Sequence, residues 1–197
     1  MSAGPVITVQ PNYVDLSAIA LQTYNISGAK ALNGTFGDRA KDIVEIRLIG
    51  AFGACLNDGS TLDIVGKKNQ AILAMLACEP SGRRSRHWLQ YKLWSERGHA
   101  QGAASLRQAL TQIRRALGPT SNILKSTREF VELDMSRVVV DTGDLDGLLS
   151  DTPRNATREF LEGLEIADPE FDEWVRLERS FWRSHLEDAW QRIEGIA

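Results

Sequence analysis

Nowhere does the 197-residue chain run to the roughly 18 uninterrupted apolar residues that a bilayer-spanning helix needs, which excludes a helical membrane protein. Its first residues lack the basic-then-apolar order of a secretory leader, so the expected location is the cytoplasm. There are only two cysteines, Cys55 and Cys78, both inside apolar runs and without metal-ligand spacing; they read as small buried hydrophobes of a reducing compartment, with a disulfide between them as the lesser alternative. The three histidines, His87, His99 and His185, are too scattered for a metal site. No GxxxxGK[ST], GxSxG or HExxH string and no phosphate-cradling glycine loop is present, which makes an enzyme the weakest class; neither a metal nor a cofactor is expected.

What is there is a composition of 43% hydrophobic and 25% charged residues, the profile of an ordinary globular protein. The formal net charge of −3 conceals three segments of different sign. Residues 1–65 carry four Lys/Arg against six Asp/Glu, residues 66–128 carry twelve against two, and residues 129–197 carry seven against eighteen. The middle third is the electrostatic footprint expected where phosphates are contacted, because counterion release drives such binding. The acidic last third must face something else.

Residues 1–42 hold a short β-like run, Val6 to Val9, and a Gly/Asn/Ser-rich passage, Asn25 to Gly37; a loosely ordered extension is expected. Then IVEIRLIGAF, the turn signal Asn57-Asp58-Gly59-Ser60 and TLDIV predict a small antiparallel sheet. Ile72, Leu73, Met75 and Leu76 recur at helical spacing, predicting a first helix from Lys67 to Cys78 that Pro80-Ser81-Gly82 stops. Ser85 is placed to cap a second, Arg86 to Trp94, and Ser95 to Gly102 reads as a linker.

A third helix, Ala103 to Leu117, is predicted to end at Gly118-Pro119. At about 100° per residue, Leu106, Ala109, Leu110, Ile113, Ala116 and Leu117 share one face, while Arg107, Gln108, Thr111, Arg114 and Arg115 spread over the other. An arginine-bearing face is ordinarily just solvated, but ordinary faces mix signs, and Glu129 is the only acid between Gln101 and Phe130. Ile123 to Ser126 and Phe130 to Leu133 alternate as a hairpin around Thr127-Arg128-Glu129. Towards the C-terminus, Trp174, Leu177, Phe181, Leu186 and Trp190 predict a helix with a broad apolar face, which either packs on its own winged helix or docks to another protomer or a downstream domain. The five tryptophans fall at apolar helical phase and read as packing residues.

KKNQAILAMLACEPSGRRSRHWLQYKLW (67–94), followed by GAASLRQALTQIRRALG (102–118), resembles the winged helix-turn-helix domain of SARP-type bacterial transcriptional activators, within the wider OmpR/PhoB-like class. Phe130-Val131-Glu132-Leu133 and Val139-Val140-Asp141 fit the same pattern, and FLEGLEIADPEFDEWVRLERSFWRSHLEDAW (160–190) is similar to the start of the bacterial transcriptional activator domain that follows in that family. The resemblance implies an α+β chain in three parts. These are an extension over 1–42, a winged helix over 43–146 with an N-terminal antiparallel sheet and a C-terminal β-hairpin wing, and a helical segment over 147–197.

It further implies a sequence-specific double-stranded DNA-binding regulator whose third helix enters the major groove and whose protomers associate on DNA. Carried over by position, Arg107, Gln108, Thr111 and Arg114 would face base edges and Arg115 a phosphate. Lys125 and Arg128 would act from the hairpin, and Lys67, Lys68, Arg83, Arg84 and Arg86 would hold the DNA backbone. The linker residues Ser95, Glu96, Arg97, His99 and Gln101 would contact RNA polymerase. The alternative from another class is a winged-helix protein-interaction module that offers its basic face to an acidic protein.

Overall fold

Alternation in Val44-Glu45-Ile46-Arg47 turns Val44 and Ile46 inward and leaves Glu45 and Arg47 outside, which makes β1 (Val44–Arg47) one half-buried strand. The computed structural model to which it belongs describes residues 43–195, so the extension expected over 1–42 lies outside the described residues. β1 pairs antiparallel with β2 (Gly53–Leu56), Val44 opposite Leu56. The sheet is mixed rather than purely antiparallel: β6 (Val138–Val140) lies parallel to β1 on its other side, Val44 opposite Val138. A parallel neighbour needs a long crossover, and here the crossover is the entire helical section, so no local pattern announces it. Just past β6, the Asp141 carboxylate accepts from the backbone N–H groups of Leu48 and Ile49 at 2.9 Å, tying the end of the crossover to β1.

Between β2 and β6 stand three helices and a second small sheet. α1 (Lys67–Ala77) buries every residue from Ala71 to Ala77, as a helix surrounded by the others must. β3 (Arg83–Ser85) leads directly into α2 (Arg86–Leu93), where Ser85 Oγ accepts from Trp88 N–H at 3.1 Å, the cap expected from sequence. α3 (His99–Leu117) buries Leu106, Ala109, Leu110, Ile113 and Leu117 along one stripe and starts four residues before the expected Ala103. The hairpin of β4 (Leu124–Ser126) and β5 (Phe130–Leu133) follows, with β3 on its far side, giving the order β3-β5-β4.

At the β3–β5 junction Gly82 takes φ +66°, and its carbonyl accepts from Leu133 N–H at 2.8 Å. A Cβ there would lie 2.2 Å from the Leu133 carbonyl oxygen, so the residue type is dictated by the closeness of the two backbones.

The chain then forms the short α4 (Leu145–Asp151) and crosses the first sheet's edge, where Leu161 N–H donates to Leu48 and Gly50 N–H to Glu159 at 2.7 and 2.8 Å. It ends in α5 (Pro169–Glu194), which packs on α2 and α4. Of the apolar face predicted for α5, Trp174 and Leu186 are buried and Trp190 half-buried, but Leu177 is 48% exposed. Phe171, Val175 and Ala189 complete the buried side in its place, in one continuous core with α1–α3.

Candidate nucleic-acid interface

The apolar stripe of α3 fixes the helix's rotation, and the opposite side is left to solvent with Arg107, Gln108, Thr111 and Arg115 exposed. Successive turns put Arg107, Thr111 and Arg114 on the same side. With Arg86 from the first turn of α2 they form one wall of a cleft of about 490 Å3, and Ser126, Thr127 and Arg128 of the hairpin form the other. Four guanidinium groups line this space and no carboxylate does. Burial, together with the fields of Arg107 and Arg114, pulls the Arg86 guanidinium below its ordinary pKa, as expected where like charges crowd without a counterion. Among the described residues no carboxylate is within ion-pair distance of Arg86, Arg107, Arg115 or Arg128.

The cleft walls are held in place by polar bonds that no sequence pattern reveals. Arg114 donates through Nε and Nη2 to the Leu124 carbonyl at 3.3 and 3.1 Å, and through Nη2 to Ser126 Oγ at 2.9 Å. Its fork is thus taken up by the root of the hairpin. Arg86 N–H donates to the Glu129 carbonyl at 2.7 Å, fastening the start of α2 to the hairpin tip. Thr127 Oγ1 accepts from Glu129 and Phe130 N–H at 3.2 and 3.1 Å and shapes the turn. Ser126, Thr127 and the structural part played by Arg114 are what sequence reasoning missed. A Ser-Thr pair at a hairpin tip was the available signal.

The other expected contact residues divide. Lys125 is exposed on β4 with Nζ 3.0 Å from Asp134. Arg83 lies exposed on β3, its guanidinium carbon 3.7 Å from the Phe130 ring centroid. Arg84 turns the other way, to Glu79 at 2.9 Å and over the Trp88 ring. Lys68 is likewise committed: its ammonium donates to the Leu93 carbonyl, at the C-terminal end of α2 where a cation is favoured, and lies over Trp94. Lys67 is exposed but lines a different depression, of about 460 Å3, whose walls also include Gln108 and Arg97. Gln108 is therefore set apart from the cleft that holds Arg107 and Thr111.

The linker before α3 is shorter than expected. His99 and Gln101 are helical, in the first turn of α3, and only Ser95 to Gly98 remain as loop, with Glu96 and Arg97 exposed. That loop is moored. Asp168, 4% exposed at the N-cap of α5, accepts from Ser95 N–H at 2.9 Å and from Ser95 Oγ at 2.8 Å. Glu170, in the first turn of α5, accepts from Tyr91 Oη at 2.6 Å and Lys92 Nζ at 2.8 Å.

No family model and no curated protein matches the sequence. Among solved structures, Mycobacterium tuberculosis EmbR in complex with a low affinity phosphopeptide is similar in fold, with a TM-score of 0.54 at 18% identity. The fold is winged-helix-like. The match covers 76% of this chain and 44% of the EmbR chain, so the present chain corresponds to less than half of that protein.

Proposed function

We propose that the chain is a sequence-specific double-stranded DNA-binding transcriptional regulator that presents α3 to the major groove and the β4–β5 hairpin to the flanking backbone and minor groove. The observation that carries this reading is the acid-free arginine cleft between those two elements. A duplex supplies the missing counter-charge along both strands, and the gain in counterion entropy on neutralising phosphates favours the complex. The SARP-like sequence pattern and the fold shared with EmbR support the same reading.

In this arrangement Arg107 and Thr111 meet base edges, Arg115 and Lys125 meet phosphates, and the chemistry asks for no cofactor. The short loop Ser95–Gly98 is the surface for RNA polymerase in an activator of this type, and protomers associate on repeated half-sites. The test is a binding series on fragments selected from genomic DNA against scrambled duplexes, from low to high salt. Preference for the selected fragments together with a steep fall in affinity with salt supports the assignment. Absence of duplex binding at low salt removes it and leaves a protein-interaction module.

A further inference from the structure

The cleft between α3 and the hairpin differs chemically from the exposed face of α3 beside it. We propose that it is a seat for one phosphate group, held by the guanidinium groups of Arg86 and Arg128 and the hydroxyls of Ser126 and Thr127. Arg107 stays at the α3 side of the cleft for a base edge, and Arg114 builds the seat without touching the ligand. The proposal rests on the DNA-binding reading for its natural occupant, a phosphodiester of the duplex. The shared chemistry is a tetrahedral oxyanion, so inorganic phosphate fits the same groups.

Three observations carry it. First, the hydrogen-bonding inventory on the hairpin side is one-sided. Ser126 Oγ already accepts from Arg114, and Thr127 Oγ1 from two backbone N–H groups, so both hydroxyls are left with a proton to give. With two guanidinium groups beside them, the wall offers donors, which suits a group that presents only acceptors; adenine, cytosine and thymine edges present a donor or a methyl as well. Second, the seat is built in advance: the Arg114 fork to Leu124 and Ser126 and the Arg86–Glu129 backbone bond fix both walls before any ligand arrives. Third, its place is right. A helix in the major groove and a hairpin reaching toward the minor groove straddle the sugar-phosphate ridge that separates the two, and the cleft lies between those elements. The crowding of like charge at Arg86 adds a reason for an anion to settle there.

The experiment uses the whole chain and two probes. Thermal unfolding is followed in sodium phosphate and in sodium chloride of equal ionic strength, and duplex binding is measured with one methylphosphonate linkage moved along the site. Phosphate several-fold above its dissociation constant is expected to raise Tm by about 2–4 °C over chloride. Arg128→Gln, at the exposed hairpin tip where folding is least at risk, and Arg86→Gln should each abolish most of that rise and lower the log-log salt slope for duplex binding by about 1. One methylphosphonate position should weaken the wild type more than it weakens Arg128→Gln.

Duplex binding without any phosphate-specific rise in Tm overturns the seat and leaves the DNA reading standing. An undiminished rise in both variants overturns its location. A loss in Arg86→Gln and Arg128→Gln confined to duplexes with guanine at one position makes the cleft a base reader and overturns the proposal. A phosphate-specific rise with no binding of any duplex sustains the anion seat and sinks the DNA reading on its own.

Discussion

Arg114 on α3 donates to the Leu124 carbonyl at 3.3 Å through Nε and 3.1 Å through Nη2, so the helix that would read DNA also fixes the root of the hairpin that would flank it. Removal of this fork is expected to cost about 1.5–3 kcal/mol, the range for hydrogen bonds involving a charged group. In Arg114→Ala, Tm should fall and affinity should drop for every duplex sequence alike. Arg114→Lys should restore little, since an ammonium cannot span Leu124 and Ser126 as a planar fork does. Unchanged Tm with altered base preference would show that Arg114 reads sequence after all.

Arg107 and Arg115 are both exposed on α3, yet only Arg107 lines the cleft. Arg107→Ala should therefore relax discrimination between selected and scrambled duplexes by about 1–3 kcal/mol. Arg115→Ala should weaken both classes equally and lower the salt slope by about 1. Competition titrations of the two variants against the same pair of duplexes check this, and identical behaviour would refute the division.

The Ser95–Asp168 tie predicts that the α2–α3 loop depends on the C-terminal helix. Asp168→Ala removes the acceptor for Ser95 N–H and Oγ as well as the α5 cap at Glu170 N–H, with an expected loss of about 2–4 kcal/mol. Amide hydrogen exchange over 95–98 should accelerate, while affinity for duplex stays within a factor of about three because the cleft is elsewhere. Unaltered exchange in that loop would contradict the mooring.

Proton linkage offers a check on the same junction. Lys92 first and Tyr91 second hold the Glu170 carboxyl below the usual glutamate range, and the hydrogen bond to Glu170 holds the Tyr91 phenol above its ordinary value. Because the Glu170 pKa is depressed in the folded state, its contribution to stability is present above the unfolded value of about 4.3 and is lost as pH falls through the folded one. The raised Tyr91 pKa works the other way: its contribution is present below about pH 10 and is lost as pH rises through the folded value. In Glu170→Gln the Tyr91 phenolate should form at lower pH than in the wild type, read by ultraviolet titration. An identical titration curve would mean the Tyr91–Glu170 bond is not kept in solution.

Gly82→Ala should be among the most damaging small substitutions in the chain. A methyl at φ +66° would meet the Leu133 carbonyl oxygen at 2.2 Å, and neither backbone can retreat without opening the β3–β5 pairing. The cost should exceed the roughly 1 kcal/mol of an ordinary glycine replacement, and denaturant titration would measure it.

The local parts of this architecture were written plainly in the residues. Lys67 to Cys78 with Pro80 behind it, Ser85 as a cap, the Leu106–Leu117 stripe and the alternation across the hairpin each rest on short-range rules, and these features appear in the fold, although α3 begins four residues early. What escaped was non-local. The partnership of Val44 with Val138 joins strands separated by the whole helical section, and nothing near either residue encodes it. The start of α3 was hidden because Gly98 gives no side-chain cap and Gly102 reads as a linker; in the fold Gly102 is buried close to Gln90 of α2. Charge counting placed a basic surface between 66 and 128, but it could not tell Arg86, which lines the cleft, from Arg84, which turns back to Glu79 and Trp88. The two part because Arg84 lies on β3 and Arg86 opens α2 beyond the Ser85 cap.

The account stands on a polyanion filling the arginine cleft, and the salt dependence of duplex binding addresses that most directly. Affinity for a selected duplex is measured across a series of salt concentrations in the wild type and in Arg115→Ala combined with Arg128→Gln. A linear fall of log affinity with log salt, at about 0.9 per phosphate contacted and shallower by about two contacts in the double variant, is the expected result. Tight binding that ignores salt, or a double variant indistinguishable from the wild type, would contradict it.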